Sequence, residues 1–70
     1  MSQQSLVGTT GLVTTSIPVA GMGEVRVLVA GGTTTFGAYC ADRETTVRAG
    51  TRVTVIELYP PRTLVVQPDL

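Results

Sequence analysis

Apolar and polar residues alternate with period two in two stretches of this chain, and those stretches anchor the reading of the rest. In residues 24–30, Val25, Val27 and Val29 alternate with Glu24, Arg26 and Leu28, the pattern of a half-buried strand. In residues 52–59, Val53 and Val55 alternate with Arg52 and Thr54, after which Ile56 and Leu58 fall on the opposite pleat. Either a bulge re-registers that strand or these two side chains cover an open end of the fold. The first apolar run, residues 6–17, is long for one strand, and Gly8 and Gly11 within it mark a bulge or sharp bend before Pro18 ends the pairing. Residues 18–23 read as a turn in which Gly21 and Gly23 supply positive φ. Gly31-Gly32 closes a hairpin into a strand over residues 33–41. The polar stretch 42–46 is a loop, and residues 47–51 are a tight turn with Gly50 left-handed. Pro60-Pro61 makes a short extended turn before a last strand, residues 62–67, stopped by Pro68.

Five strands and no helix predict an all-β domain. A flat sheet this small would expose one face and two edges, and curling it into a barrel removes both problems. A first strand bent enough to serve two sheets suits a five-stranded OB-type barrel. An SH3-like barrel is the alternative, because strand counting leaves the pairing order open. The expected core is Val13, Ile17, Val25, Val27, Val29, Tyr39, Ala41, Val53, Val55, Leu64 and Val66. Residues 6–68 form the single domain, with 1–5 a flexible leader and 69–70 a tail.

Composition supports the strand reading and narrows the chemistry. Val, Ile and Thr supply 25 of the 70 residues, and β-branched side chains fit a pleated surface better than a helix. One cysteine cannot form an internal disulfide, and a chain without histidine has no Cys/His nucleophile pair and no ligand set for structural zinc. Five arginines balance five acids, so no overall field draws the protein to phosphate backbones or anionic lipid. No segment approaches the roughly 20 apolar residues that span a bilayer, and residues 1–4 lack the basic and apolar regions of a signal peptide.

Candidate reactive groups are few. Cys40 has no histidine, lysine or helix N-terminus to lower its pKa. It reads as a small strand residue on the pleat opposite Tyr39, exposed enough to form disulfide-linked dimers in oxidising buffer. Asp42 and Glu44, with Arg43 between them, and Glu57 read as ordinary charge balance rather than as an acid–base pair or a calcium site. Gly21-Met22-Gly23 and Gly31-Gly32-Thr33 are followed by strands, so they are turns and not phosphate loops. No catalytic residue, cofactor or metal is expected. Phe36, in a Gly- and Thr-rich insert, and Leu58 and Tyr59, at a strand tip before Pro60, are the candidate partner contacts; the competing assignment plugs the barrel ends with them. Binding of single-stranded nucleic acid by a free-standing module is the alternative function, with few aromatics and scattered arginines to support it.

The order of these motifs resembles the C-terminal domain of NfeD-like proteins. Gly8-Thr9-Thr10-Gly11-Leu12-Val13-Thr14-Thr15-Ser16-Ile17-Pro18 is similar to the family's opening G-x-x-G-x-A/V-x-T-x-L-x-P. Gly23-Glu24-Val25-Arg26-Val27 looks like its first G-x-V-x-V strand, and Tyr39-Cys40-Ala41 sits where it tends to place an aromatic and an alanine. Ala49-Gly50-Thr51-Arg52-Val53-Thr54-Val55-Ile56-Glu57 resembles its later turn and strand, and Leu64-Val65-Val66-Gln67-Pro68 its closing L-x-V-x-P. The insert at residues 31–37 is longer than the family's usual hairpin, and Tyr39 stands where tryptophan is frequent. The resemblance implies an OB-fold domain on the cytosolic side of a membrane-anchored parent. It further implies stomatin- or flotillin-like partners in membrane microdomains. Longer members carry a serine protease domain with a Ser-Lys dyad, to which no residue here corresponds. The expectation is therefore a non-catalytic protein-interaction domain, with homo-oligomers a further prospect.

Overall fold

The computed structural model describes residues 6–29, 31–60 and 62–69; the expectations placed on residues 1–5, Ala30, Pro61 and Leu70 lie outside them. Five strands follow in order: β1 (Thr10–Thr15), β2 (Met22–Val29), β3 (Gly32–Cys40), β4 (Arg52–Tyr59) and β5 (Thr63–Pro68). They close into a barrel in the order β1-β2-β3-β5-β4, with β4 returning to β1. Every pairing is antiparallel except β3 with β5. That parallel pair decides the order that strand counting left open, and the arrangement is consistent with a small OB-type barrel.

β1 pairs on both sides of the closure as expected, although it spans only Thr10–Thr15 and not the whole 6–17 run. Gly11–Thr15 pair with β2, Thr10–Leu12 pair with β4, and the register against β2 shifts between Val13 and Thr15. The bulge therefore lies beyond the two glycines to which the sequence pointed. Gly11 has a different reason to be glycine: a Cβ there would meet Val25 Cγ1 at 2.7 Å across the barrel wall. The 18–23 turn is likewise corrected. Its positive φ is taken by Ala20, at 53°, while Gly23 is needed because a Cβ would press on the Thr15 and Ser16 carbonyl oxygens.

The core consists of Val13, Ile17, Val25, Val27, Ala38, Cys40, Val47, Val53, Val55, Leu64 and Val66. Each fully buried aliphatic side chain contributes about 1.5–3 kcal/mol relative to exposure. Eight of the expected members are among them, and three are not. Tyr39 and Ala41 point outward, because β2 and β3 pair without a shift from Met22↔Tyr39 to Val29↔Gly32. Val25 and Val27 face inward, so their partners Phe36 and Thr34 share that face, and the alternation carries Ala38 and Cys40 inside. Parallel pairing then sets Ala38 beside Leu64 and Cys40 beside Val66, small side chains next to larger ones in a narrow interior. Val29 is only half-buried, two residues past the last β1 partner of β2. Val47, read as part of a turn, is buried because it bridges Ile17 through paired hydrogen bonds of 2.8 and 2.9 Å.

In β4 the open choice resolves to a bulge: Val55 pairs with Val66, and Glu57 with Val65. The extra residue, Ile56, lets Glu57 stay outside and turns Leu58 onto the face it shares with Leu64. The β2–β3 and β4–β5 hairpins run past the last residues that β1 pairs, forming two arms beyond the closed body. One is the end of β2 with the start of β3, the other the end of β4 with the start of β5. The closed end is held by the 18–21 and 41–46 loops, where Ala20 N–H donates to the Arg43 carbonyl and Arg43 Nη2 donates to the Ala20 carbonyl, at 2.9 and 3.0 Å. Asp69 continues the pairing, its N–H donating to the Arg52 carbonyl at 2.9 Å and its carboxylate accepting from Thr54 Oγ1 at 2.6 Å.

Candidate docking groove

The outer face over β3, β5 and β4 gathers the chain's two tyrosines. Tyr39 and Glu57 both pair with Val65, and Tyr59 pairs with Thr63, whose other neighbour is Gly37. Side chains directly opposite one another share a face, so Tyr39, Val65 and Glu57 form one row and Tyr59 stands in the next. Gly37 brings no side chain to that row. Together with Ile56 and Arg43 these residues line a groove of about 540 Å³. The bulge is what turns Glu57 and Tyr59 out to it, since unbroken alternation from Val55 would carry both inward.

Its rim carries opposite charges. The Arg43 guanidinium lies 5.0 Å from the centre of the Tyr39 ring, within cation–π range. Its hydrogen bond to the Ala20 carbonyl holds it there, so the cation is preorganised rather than swinging free. On the other wall Tyr59 Oη donates to Glu57 Oε1 at 3.4 Å. An apolar floor of Val65 and Ile56 between two phenol rings, with a fixed cation and a carboxylate at the edges, suits a polypeptide side chain that is apolar with a polar end.

The three candidate contacts separate. Tyr59, 49% exposed, is in the groove. Leu58, 39% exposed, lies on the opposite face of β4 with Leu64. Phe36 is half-buried, packs against the core, and carries the Arg62 guanidinium 5.2 Å from its ring centre. Tyr39, Ile56 and Val65 line the groove without having been singled out in the sequence; Tyr39 was placed among the inward positions, although the β2 alternation carried through the hairpin turns it out.

Cys40 is 3% exposed, which overturns the expected disulfide-linked dimers: inward alternation shields the thiol. Asp42, Glu44 and Glu57 do not converge. Asp42 turns on its own loop, accepting from the Glu44 N–H at 3.0 Å and from Thr45 Oγ1 at 2.8 Å. These bonds, the backbone one first, hold its carboxyl below the usual range. Among the described residues no group of three His, Cys, Asp or Glu side chains is placed to hold a metal ion, and no helix is long and apolar enough to cross a membrane.

Comparison with known proteins gives one consistent picture. Residues 10–67 match the model of the NfeD C-terminal domain family. Among solved structures, the chain is similar to the soluble domain of the NfeD protein YuaF from Bacillus subtilis, in its solution structure. The two share 36% identity over 87% of this chain and 70% of that one, with a TM-score of 0.74. No curated protein matches the chain.

Proposed function

Because the chain belongs to the NfeD C-terminal domain family, we propose that it is a non-catalytic protein-interaction domain. Its parent is an NfeD-like membrane protein, the barrel lies on the cytosolic side, and its partners are stomatin- or flotillin-type proteins of membrane microdomains. The observation that carries the interaction reading is the Tyr39–Tyr59 groove, preassembled by the bulge at Ile56 and by the tethered Arg43. Aromatic residues seated in a shaped recess are the usual anchors of protein interfaces, since they bury much area at little rotamer cost.

The test is immunoprecipitation of the native protein from separated membrane and soluble fractions, read by mass spectrometry and repeated with Tyr59→Ala. The expected result is a stomatin- or flotillin-like protein recovered from the membrane fraction. Capture by the variant falls at least about tenfold, as for loss of an interface anchor, while the melting temperature is unchanged. Free 7.3 kDa protein in the soluble fraction, or undiminished capture by Tyr59→Ala, overturns the proposal.

A further inference from the structure

We propose that the open edge of β3 is a self-pairing strand through which two copies of this barrel join. β3 pairs with β2 along Gly32–Tyr39, but β5 reaches it only from Gly37 onward. Among the described residues, 32–36 therefore have a strand partner on one side alone, with the Arg62 guanidinium over the Phe36 ring at the end next to β5. Across β3 and β5 the Ala41 N–H donates to the Val66 carbonyl at 2.8 Å. Backbone groups alternate in direction along a strand, and β3 runs without a register shift. The odd-numbered positions thus face the β5 side, and where β5 is missing Thr33 and Thr35 present their N–H and C=O groups to the open edge.

The edge is unguarded. Natural proteins blunt such edges with charge, proline, bulges or shortness. The open part of β4 has three of these, with a bulge at Ile56, the charge of Glu57 and then Pro60. The open end of β2 is only Leu28 and Val29. Gly32-Thr33-Thr34-Thr35-Phe36 has no charge, no proline and no bulge.

A second copy fits this edge for reasons of register. Antiparallel pairing centred on Thr34 sets Thr33 of one copy opposite Thr35 of the other, and each such pair exchanges both of its hydrogen bonds. Thr34 meets its own symmetry mate, Thr–Thr being a favourable cross-strand pair. Gly32, beside which there is open space, comes opposite Phe36, whose ring covers the bare backbone. The segment is uncharged, so bringing it against itself juxtaposes no like charges, and the contact is isologous, as a two-fold dimer requires. Only five residues a side take part, which places the association among weak, transient interfaces. This inference is independent of the Tyr39–Tyr59 groove.

Sedimentation equilibrium on the purified chain, with amide hydrogen exchange by NMR, tests it. Between about 20 µM and about 1 mM the average mass is expected to rise from 7.3 kDa toward twice that value. Exchange at Thr33 and Thr35 slows in parallel, about tenfold or more. Thr35→Pro removes an edge donor and keeps the chain monomeric. Thr34→Lys leaves every edge backbone group in place but sets two cations across the axis; it is monomeric at low salt and regains association at high salt, a recovery that an unfolded variant does not show. Tyr59→Ala leaves self-association intact, which separates this proposal from the groove. A single monomer mass at every concentration, or a dimer that both edge variants leave undiminished, overturns it.

Discussion

In the closed half of the barrel every strand has a neighbour on each side, whereas in the two arms each has one, and residues of the same type fare differently in the two places. Val27 is fully buried and Val29, two positions along the same face of β2, is half-buried. Leu64 is fully buried, and Leu58, its partner across β4 and β5, is 39% exposed. Period-two patterning tells which face a residue takes; closure of the sheet decides whether that face is dry. The arms also differ from one another. The β4–β5 arm is bulged, charged and proline-tipped, and it frames the groove. The β2–β3 arm has bare backbone and threonine, and offers an edge instead of a surface.

The contrast breaks most completely at Gly23, in the closed half. A methyl group there would press on the Thr15 and Ser16 carbonyl oxygens and sit 2.8 Å from Ile17 Cγ1. None of these yields easily, because Ile17 is tied to Val47 by two hydrogen bonds. Gly23→Ala is expected to cost about 3 kcal/mol. A domain of this length has roughly 4–10 kcal/mol of stability in total. A urea titration followed by circular dichroism should show the midpoint falling by a third or more, with both arms lost in the same transition. A midpoint close to that of the parent chain would mean that the β1–β2 crossing is slack and that closure is not the source of stability.

The Leu64–Leu58 pair places the boundary between body and arm on a single cross-strand contact. Leu64→Ala empties a fully enclosed site and is expected to cost about 2–4 kcal/mol, whereas Leu58→Ala removes a side chain already in partial contact with water and costs about 1 kcal/mol or less. Denaturant midpoints of the two variants measure the difference directly. Equal losses would show that the β4–β5 arm is closed over in solution.

Much of this division was legible in the sequence, and the part that was not has a common cause. Valine alternation in β2 and β4 marked the strands, and Gly31-Gly32 marked the hairpin between β2 and β3, because period and turn chemistry are local properties. Tyr39 was assigned to the wrong face because its phase is inherited from β2 across the hairpin and not stated by its neighbours, which are small. Val47 looked like turn residue since its partner, Ile17, is 30 positions away and only the closed barrel brings them together. The groove was half-visible: Ile56 follows Val55 onto the outer face by simple alternation, but Glu57 and Tyr59 join it only because a bulge shifts the phase of the strand. Bulge or end cover were the two outcomes that residues 56 and 58 allowed, and keeping Glu57 in water decides for the bulge.

The smallest expected effect concerns the loop that ties the closed end. The Asp42 carboxylate accepts hydrogen bonds from the Glu44 N–H and from Thr45 Oγ1, and these hold its folded pKa below the ordinary value. An acid whose pKa is depressed by folding stabilises the fold above its unfolded pKa, about 3.9 for aspartate, and loses that contribution as pH falls through the lower folded value. From neutral pH down to about 5 the loop is therefore insensitive to acid at this position. Below about 4 the melting temperature of the parent chain should decline slightly more steeply than that of Asp42→Ala. Full solvent exposure keeps the difference small. Carboxyl-carbon NMR gives the cleaner reading, with an Asp42 midpoint below that of aspartate in an unstructured peptide. A midpoint at or above the peptide value would mean that the two hydrogen bonds do not persist, and that the end of the barrel opposite the arms is held without the Asp42 carboxylate, by the Ala20–Arg43 and Ile17–Val47 pairings.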